Sequence, residues 1–154
     1  MKQILFFLFP ACLAFAGCSS AKSSRSSMIL TGISGVVTEL TGNQMPMKDR
    51  PVASPKGIVT TVLIYEPTNM SQVTRTGTSP LYTAILTKRV ASVDTDSTGA
   101  FTVALPAGSY SLFVKRGDQF YANLFDTQNN ISLFTVEEGK LTRVTLSVTS
   151  KASF

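Results

Sequence analysis

Histidine and tryptophan are both absent from the 154-residue sequence. Without histidine the chain cannot build Ser-His or Cys-His nucleophilic machinery, and it lacks the commonest zinc ligand. Its nine acidic residues are scattered, and no pair on one strand suggests the two carboxylates of a glycosidase. We therefore predict that the protein is not an enzyme and that it needs no metal or other cofactor.

Cysteine is also scarce, with only Cys12 and Cys18 at the end of an apolar N-terminal run. Lys2 followed by that run has the form of a signal peptide and is too short to span a bilayer as a transmembrane helix. The sequence Phe-Ala-Gly-Cys at residues 15–18 resembles a bacterial lipobox, in which the cysteine receives diacylglycerol. We expect residues 1–17 to be a lipoprotein signal peptide and Cys18 to be lipidated. The alternatives are Cys12 as the acceptor, or an ordinary cleavage that leaves Cys18 a free thiol.

Charge is sparse as well, since only 15% of residues are charged and the formal net charge is +5. Removing Lys2 with the signal peptide leaves an excess of about +4, which is compatible with anionic lipid and too dispersed for nucleic acid. Residues 18–27 are rich in serine and predict a flexible tether. By resemblance to Gram-negative lipoproteins, Ser19 favours the outer membrane. The lack of an acidic cluster after Cys18 favours its periplasmic face over the cell surface.

Alternating apolar residues identify strands in the remaining residues, 28–154. The segment at 101–105 and the segment at 110–114 each alternate with a period of two and are separated by a proline and a glycine, which predicts a β-hairpin. The residues expected to build the turn before this hairpin and the turn within it are Asp96, Gly99, Pro106 and Gly108.

The rest of the domain repeats the strand pattern, and no helical period is present. We predict a first strand at 29–40, a central strand at 58–65 that is apolar on both faces, and a long strand at 81–93 with a bend at its Lys-Arg pair. A second hairpin is expected from 131–136 and 141–149. The fold class is therefore an all-β, antiparallel sandwich of seven or eight strands.

The turn residues carry a resemblance to a known family. Thr95-Asp96-x-x-Gly99-x-Phe101 followed by Leu105-Pro106-x-Gly108-x-Tyr110 resembles the carboxypeptidase regulatory-like domain family. The resemblance extends over about residues 30–148 and implies a transthyretin-like, or prealbumin-like, β-sandwich. It says little about function, because such domains are appended to many unrelated activities. The namesakes' catalytic domain is missing, and so are the histidines of the hydroxyisourate hydrolases that share the fold.

Two segments are candidates for binding. Residues 41–57 form a long proline-containing loop whose Lys48, Arg50 and Lys56 could contact an acidic protein surface or an envelope polymer. The aromatic segment at 120–126 could stack on a sugar through Phe120 and Tyr121, although aromatic residues in alternating runs more often lie in the core.

Two short motifs have simpler explanations as turns. Residues 94–99 match the start of a calcium loop, but the position that should carry the bidentate acid is Leu105, so a plain β-turn is favoured. Arg116-Gly117-Asp118 is an integrin-type tripeptide, and Gly-Asp is common in turns for backbone reasons alone.

These observations favour a non-catalytic, lipid-anchored envelope protein whose β-sandwich acts as an interaction or scaffolding module. The alternative is a module that binds peptidoglycan or polysaccharide in the envelope. A third interpretation, an enzyme with unrecognised carboxylate chemistry, has no motif in its favour. The expected partners are the membrane and an envelope protein or glycan, and not nucleic acid.

Overall fold

A computed structural model describes residues 30–43, 54–75 and 77–153. The predicted signal peptide, Cys18, the whole predicted tether, Lys48 and Arg50 lie outside the described residues. Within them the chain is all-β, and the only helical segment is a three-residue 3-10 turn, Met70–Gln72, so no helix there could cross a membrane. The strands are β1 (Gly32–Asn43), β2 (Lys56–Gly57), β3 (Thr61–Tyr65), β4 (Val73–Arg75), β5 (Leu81–Ile85), β6 (Arg89–Asp94), β7 (Ala100–Ala104), β8 (Gly108–Arg116), β9 (Gln119–Tyr121), β10 (Leu133–Val136) and β11 (Leu141–Ser153).

The strands form two sheets, which confirms the predicted β-sandwich. The first sheet has four strands: β1 lies at its centre, with β11 on one side and both β2 and β7 on the other. The second has seven strands in the order β4-β5-β9-β8-β3-β6, and β10 also pairs with β8. All the pairings are antiparallel except that of β1 with β11, which is parallel. The structure has more strands than the seven or eight predicted because very short strands such as β2, β4 and β9 leave no periodic pattern.

The main core lies between the two sheets and follows from the period-two alternation of each strand. In β1, for example, Ile33 and Val37 are fully buried, while Ser34 and Val36 lie on the other face and are partly exposed. The strand residues that are buried in this core are Ile33, Val37, Val62, Ile64, Phe101, Leu112, Val114, Tyr121, Val136, Val144, Leu146 and Val148.

The opposite face of the second sheet carries a second core. Leu63 in β3 and Phe113 in β8 alternate with main-core residues and pack on this outer side together with Tyr65 and Tyr82. The rings of Tyr65 and Tyr82 both meet Phe113 edge to face, with ring centroids 5.6 and 5.8 Å apart. Met70, Val73 and Ile85 pack against this cluster, so the segment from the 3-10 turn through β5 covers it. Because both of its faces are buried, β3 is a central strand, as predicted, between β6 and β8.

The predicted hairpin of residues 101–114 is wrong. β7 pairs with β1 in the first sheet, whereas β8 pairs with β3, β9 and β10 in the second. The connection through Pro106 therefore crosses from one sheet to the other. Alternation in the sequence shows which side chains face inward, but a tight turn between two strands does not show whether they share a sheet.

The predicted hairpin of residues 131–149 is wrong for the same reason. β10 pairs with β8 in the second sheet, and β11 pairs in parallel with β1 in the first.

The long strand predicted at 81–93 is divided into two strands. β5 and β6 both belong to the second sheet but lie on opposite sides of it, and β6 is an edge strand. The predicted bend at the Lys-Arg pair coincides with this interruption.

Candidate functional site

The turn after β6 is held by a single carboxylate. One oxygen of Asp96, Oδ1, accepts hydrogen bonds from the backbone N–H of Thr98 at 2.8 Å and of Ala100 at 2.9 Å. It also accepts a bond from the Thr98 hydroxyl at 2.6 Å. These donors stabilise the ionised form, and the bond from the Thr98 hydroxyl, the largest cause, lowers the pKa of Asp96 from its ordinary value.

Gly99 completes this turn in a conformation that favours glycine, with a φ of 83°. A Cβ added at Gly99 would lie 2.2 Å from the backbone oxygen of Val37. The chain passes close to β1 at this point because the Gly99 carbonyl accepts a hydrogen bond from the Val37 N–H at 2.8 Å. The turn thus fixes the start of β7 against the central strand of the first sheet.

The same geometry favours the turn interpretation over a calcium loop. Asp96 directs its oxygen to the turn's own donors, and Asp94 Oδ1 accepts a 2.7 Å hydrogen bond from the Thr61 hydroxyl on the neighbouring strand. Among the residues that the structure describes, no group of three His, Cys, Asp or Glu side chains is placed to hold a metal ion.

A tyrosine of β8 stabilises the connection that crosses from one sheet to the other. From the sequence, this tyrosine was assigned only to one face of a strand. The Tyr110 hydroxyl donates a 3.0 Å hydrogen bond to the carbonyl of Pro106, four residues earlier. This contact resembles the tyrosine corner of Greek-key sandwiches. The Pro-x-Gly-x-Tyr spacing at residues 106–110 is the sequence feature that could have predicted this hydrogen bond. Gly108 has a φ of 157°, and a Cβ there would meet the Tyr110 hydroxyl at an ordinary 3.4 Å.

The Arg-Gly-Asp tripeptide occupies a tight turn between β8 and β9, where Gly117 has a φ of 60°. The Arg116 guanidinium lies 2.6 Å from a carboxylate oxygen of Glu39 on β1, and both side chains are mostly buried. This ion pair connects the two sheets. The arginine is therefore engaged within the domain, which favours a structural role for the tripeptide.

The candidate sugar platform is not formed at Tyr121. The structure places Tyr121 in the main core at 2% exposure, because its ring points between the sheets. Its hydroxyl accepts the Thr149 N–H at 2.9 Å and lies at the same distance from the Thr149 hydroxyl. Phe120 is half-buried and packs against the second core. The Tyr121 ring therefore offers no free face for stacking on a sugar, whereas the Phe120 ring is partly exposed.

The predicted loop at 41–57 is shorter than expected at both ends. β1 continues to Asn43, and Lys56 lies in β2, where it pairs with Glu39 of β1. Lys56 is exposed, whereas Lys48 and Arg50 lie outside the described residues, so the structure does not show whether the three cations converge.

Two adjacent exposed apolar side chains lie on a loop that we name the 122–132 loop, between β9 and β10. Asp126 folds it back on itself: Oδ1 accepts the N–H groups of Gln128 and Asn130 at 2.9 and 2.8 Å, and Oδ2 accepts the Asn130 side-chain amide. On this fixed loop Leu124 and Phe125 are 45% and 48% exposed. No periodic pattern in the sequence could show that this apolar pair faces solvent.

The 122–132 loop is also tied to the body of the domain. The Ile131 N–H donates to the Thr68 carbonyl at 2.8 Å, and the Thr68 N–H in turn donates to the buried hydroxyl of Ser111 at 2.9 Å. The Ser132 N–H closes the base of the loop on the Leu124 carbonyl at 2.9 Å. Leu124 and Phe125 are therefore held in place by a hydrogen-bonded loop.

Comparison of the chain with known protein families, curated proteins and solved structures gives no match.

Proposed function

We propose that the protein is a lipid-anchored, non-catalytic component of a bacterial cell envelope and that its β-sandwich is an interaction module. The observation that carries the interaction role is the exposed pair Leu124 and Phe125 on a loop held by Asp126. Adjacent exposed apolar side chains on a fixed scaffold are typical of protein contact sites, since such a surface gains free energy when a partner removes it from water.

The lipid anchor in this proposal rests on the lipobox at residues 15–18 and on the serine-rich tether after it. Outer-membrane attachment on the periplasmic side follows from Ser19 and from the lack of an acidic cluster. We also propose membership of the carboxypeptidase regulatory-like domain family, with a transthyretin-like arrangement of strands. The turn at Asp96 and Gly99 and the crossing at Pro106 and Tyr110 support it, because the residues that carry the resemblance have defined structural roles.

A second contact is proposed for residues 41–57, whose Lys48, Arg50 and Lys56 would meet an acidic partner surface. The glycan-binding alternative has less support, because Tyr121 is buried and Phe120 is half-buried in the second core. Without a free aromatic face at Tyr121, a sugar would have to stack on the partly exposed Phe120 or bind through polar groups.

In-cell crosslinking of the full-length protein, followed by purification, tests the interaction role. Phe125→Ser should remove crosslinked partner proteins, and deletion of residues 44–53 should weaken them. Leu86→Ser is the matched control, because Leu86 is a single exposed apolar side chain at 74% exposure outside the 122–132 loop. Thermal melts should show all three variants folded. Unchanged crosslinking of Phe125→Ser would overturn the proposed contact, and loss of binding to purified peptidoglycan on the same change would favour the glycan alternative.

A further inference from the structure

The outer edge of β11 is the longest sheet edge in the described residues without a paired strand. β11 runs from Leu141 to Ser153 and pairs only with β1. The Gly32 N–H donates to the Lys140 carbonyl at 3.1 Å, which fixes the phase of the parallel ladder: even-numbered residues of β11 bond to β1. The backbone groups of Leu141, Arg143, Thr145 and Ser147 therefore point away from β1, toward the outer edge.

Two other edges of the sandwich are closed or charged in part. In β7 the Ala100 N–H, which faces away from β1, donates to the Asp96 carboxylate at 2.9 Å. The Ala100 carbonyl accepts a hydrogen bond from the Asp96 N–H, also at 2.9 Å. β6 carries Arg89 and Asp94 at its two ends. On β11 the outer edge is closed only beyond Ser147, where the Thr149 N–H donates to Tyr121. Between Leu141 and Thr149 the strand has no proline or glycine and a single charge, at Arg143, so it lacks the devices that normally protect an edge.

The base of the 122–132 loop lies beside this edge. Asn123 and Ser132, at the base of the 122–132 loop, line a small crevice between the sheets together with Leu146 and Ser147 of β11. Leu124 follows directly and is bonded to Ser132. A strand added to β11 would thus run past the base of the 122–132 loop, and Leu141, at the start of β11, is itself 39% exposed.

We propose that this edge pairs with the same edge of a second copy of the chain, antiparallel and about a two-fold axis at Thr145. In this register Thr145 faces its own counterpart, and Arg143 faces Ser147 of the partner subunit, so no two like charges are opposed. Each such pair exchanges two hydrogen bonds, giving about six across the junction. The first sheets of the two copies become one continuous sheet, and the two 122–132 loops approach each other across the axis, which would cover Leu124 and Phe125.

The sequence outside the described residues favours a second copy over a segment of the same chain. The loop at 44–53 contains two prolines, which do not suit an added strand, and residues 19–29 are mostly serine with few apolar side chains to meet Leu124 and Phe125. The inference names the partner of the proposed interaction surface. It does not depend on lipidation.

Disulfide crosslinking of the full-length protein in intact cells tests this pairing. Thr145→Cys should yield a reducible band at twice the monomer mass after mild oxidation. Thr102→Cys is the matched control, because Thr102 is an exposed threonine on the same sheet face, in β7. Both variants keep Cys18, so any disulfide-linked dimer that Cys18 itself forms should appear equally in the two variants. Adding Ser147→Pro to Thr145→Cys should suppress the band, because it removes an outward N–H without removing a backbone bond to β1.

The outcomes separate this inference from the proposed function. Equal dimer yields for Thr145→Cys and Thr102→Cys, or a crosslinked band of a different mass, would overturn pairing with a second copy. If Cys18 is not lipidated, the same Thr145→Cys dimer is expected in the soluble fraction. Loss of the dimer together with intact Phe125-dependent crosslinks to other proteins would leave the interaction role standing and remove only the self-pairing.

Discussion

At the scale of single residues, Gly99 combines a backbone conformation that favours glycine with a site that has no room for a side chain. Its φ is 83°, and an added Cβ would lie 2.2 Å from the Val37 backbone oxygen. Gly117 offers a matched comparison, since its φ is 60° and a Cβ there would have nothing within 4 Å. The two glycines separate the cost of the conformation from the cost of the close approach.

We therefore expect Gly117→Ala to lose about 1 kcal/mol of unfolding free energy, and Gly99→Ala to lose more, about 2 to 4 kcal/mol, because β1 and the turn must move apart. Urea unfolding of both variants checks this. Equal losses would show that the Val37 contact is readily relieved and that only backbone conformation matters.

The Asp96 carboxylate makes stability depend on pH. Hydrogen bonds from Thr98 and Ala100 hold its pKa in the folded protein below the ordinary value of about 3.9. A carboxyl whose pKa is lowered by folding contributes stability that is full above the unfolded-state pKa and is lost as pH falls through the folded-state pKa. The melting temperature should therefore decrease as the pH is lowered below about 4, and Asp96→Asn should make this decrease smaller.

Asp126 is the internal comparison, because the Asn130 side chain and backbone lower its pKa in the same way. Asp126→Asn should remove a further part of the acid dependence. NMR titration of the two side-chain carboxyl carbons gives the direct measurement. A midpoint for Asp96 at or above the ordinary value would refute the assigned hydrogen bonds.

At the scale of elements, Tyr121 connects β9 in one sheet to β11 in the other. Tyr121→Phe keeps the ring but leaves the Thr149 N–H without its 2.9 Å acceptor, at an expected cost of about 1 to 3 kcal/mol. Tyr121→Ala also empties part of the core and should cost about 3 to 5 kcal/mol. Thermal or urea unfolding measures both. A Tyr121→Phe protein as stable as the wild type would mean that this bond contributes nothing to holding β11.

Element-level prediction succeeded where local chemistry decides the outcome. A central strand was predicted at 58–65 because these residues are apolar on both faces, and β3 at Thr61–Tyr65 is central. The turn at Asp96 and Gly99 was predicted because its residue types suit a tight turn. Strand pairing was predicted badly, since alternation does not specify a neighbour. The parallel contact of β1 with β11 joins residues more than 100 positions apart, and only the packing of the whole chain selects it.

At the candidate site, too, the local sequence predicted some features, whereas others depend on the packing of the whole chain. Tyr121 was identified as aromatic, but its burial depends on the position of β11 above β9, which no local pattern reveals. Leu124 and Phe125 belong to a run that reads as a core strand, and their exposure follows from the turn that Asp126 imposes after β9. Sequence reasoning therefore found the turns and the core composition, but not the surface that the folded loop presents.

At the scale of the whole molecule, hydrophobic packing and paired polar groups stabilise the described part of the sandwich. Two cores lie on the two faces of the second sheet, and the buried side-chain nitrogen and oxygen atoms of the described residues all have hydrogen-bond partners. A domain of this kind can be displayed on a tether without losing its structure, which suits the proposed role at a membrane. The anchor then decides where the exposed surface acts.

Cys18→Ser is expected to remove that anchor. Two acyl chains give stable membrane association, at about 0.8 kcal/mol for each buried methylene, whereas the serine variant has no thiol to modify. The variant should appear as an uncleaved precursor or in the soluble fraction, with the melting temperature of its β-sandwich unchanged. Normal retention of the variant in the membrane pellet would contradict lipid anchoring through this residue.

The most direct measurement is the mass of the N-terminal peptide of the protein recovered from membranes. The account predicts a chain that begins at Cys18 and carries diacylglycerol on its thiol. A chain that begins elsewhere, or that carries Cys18 as an unmodified thiol, would contradict it.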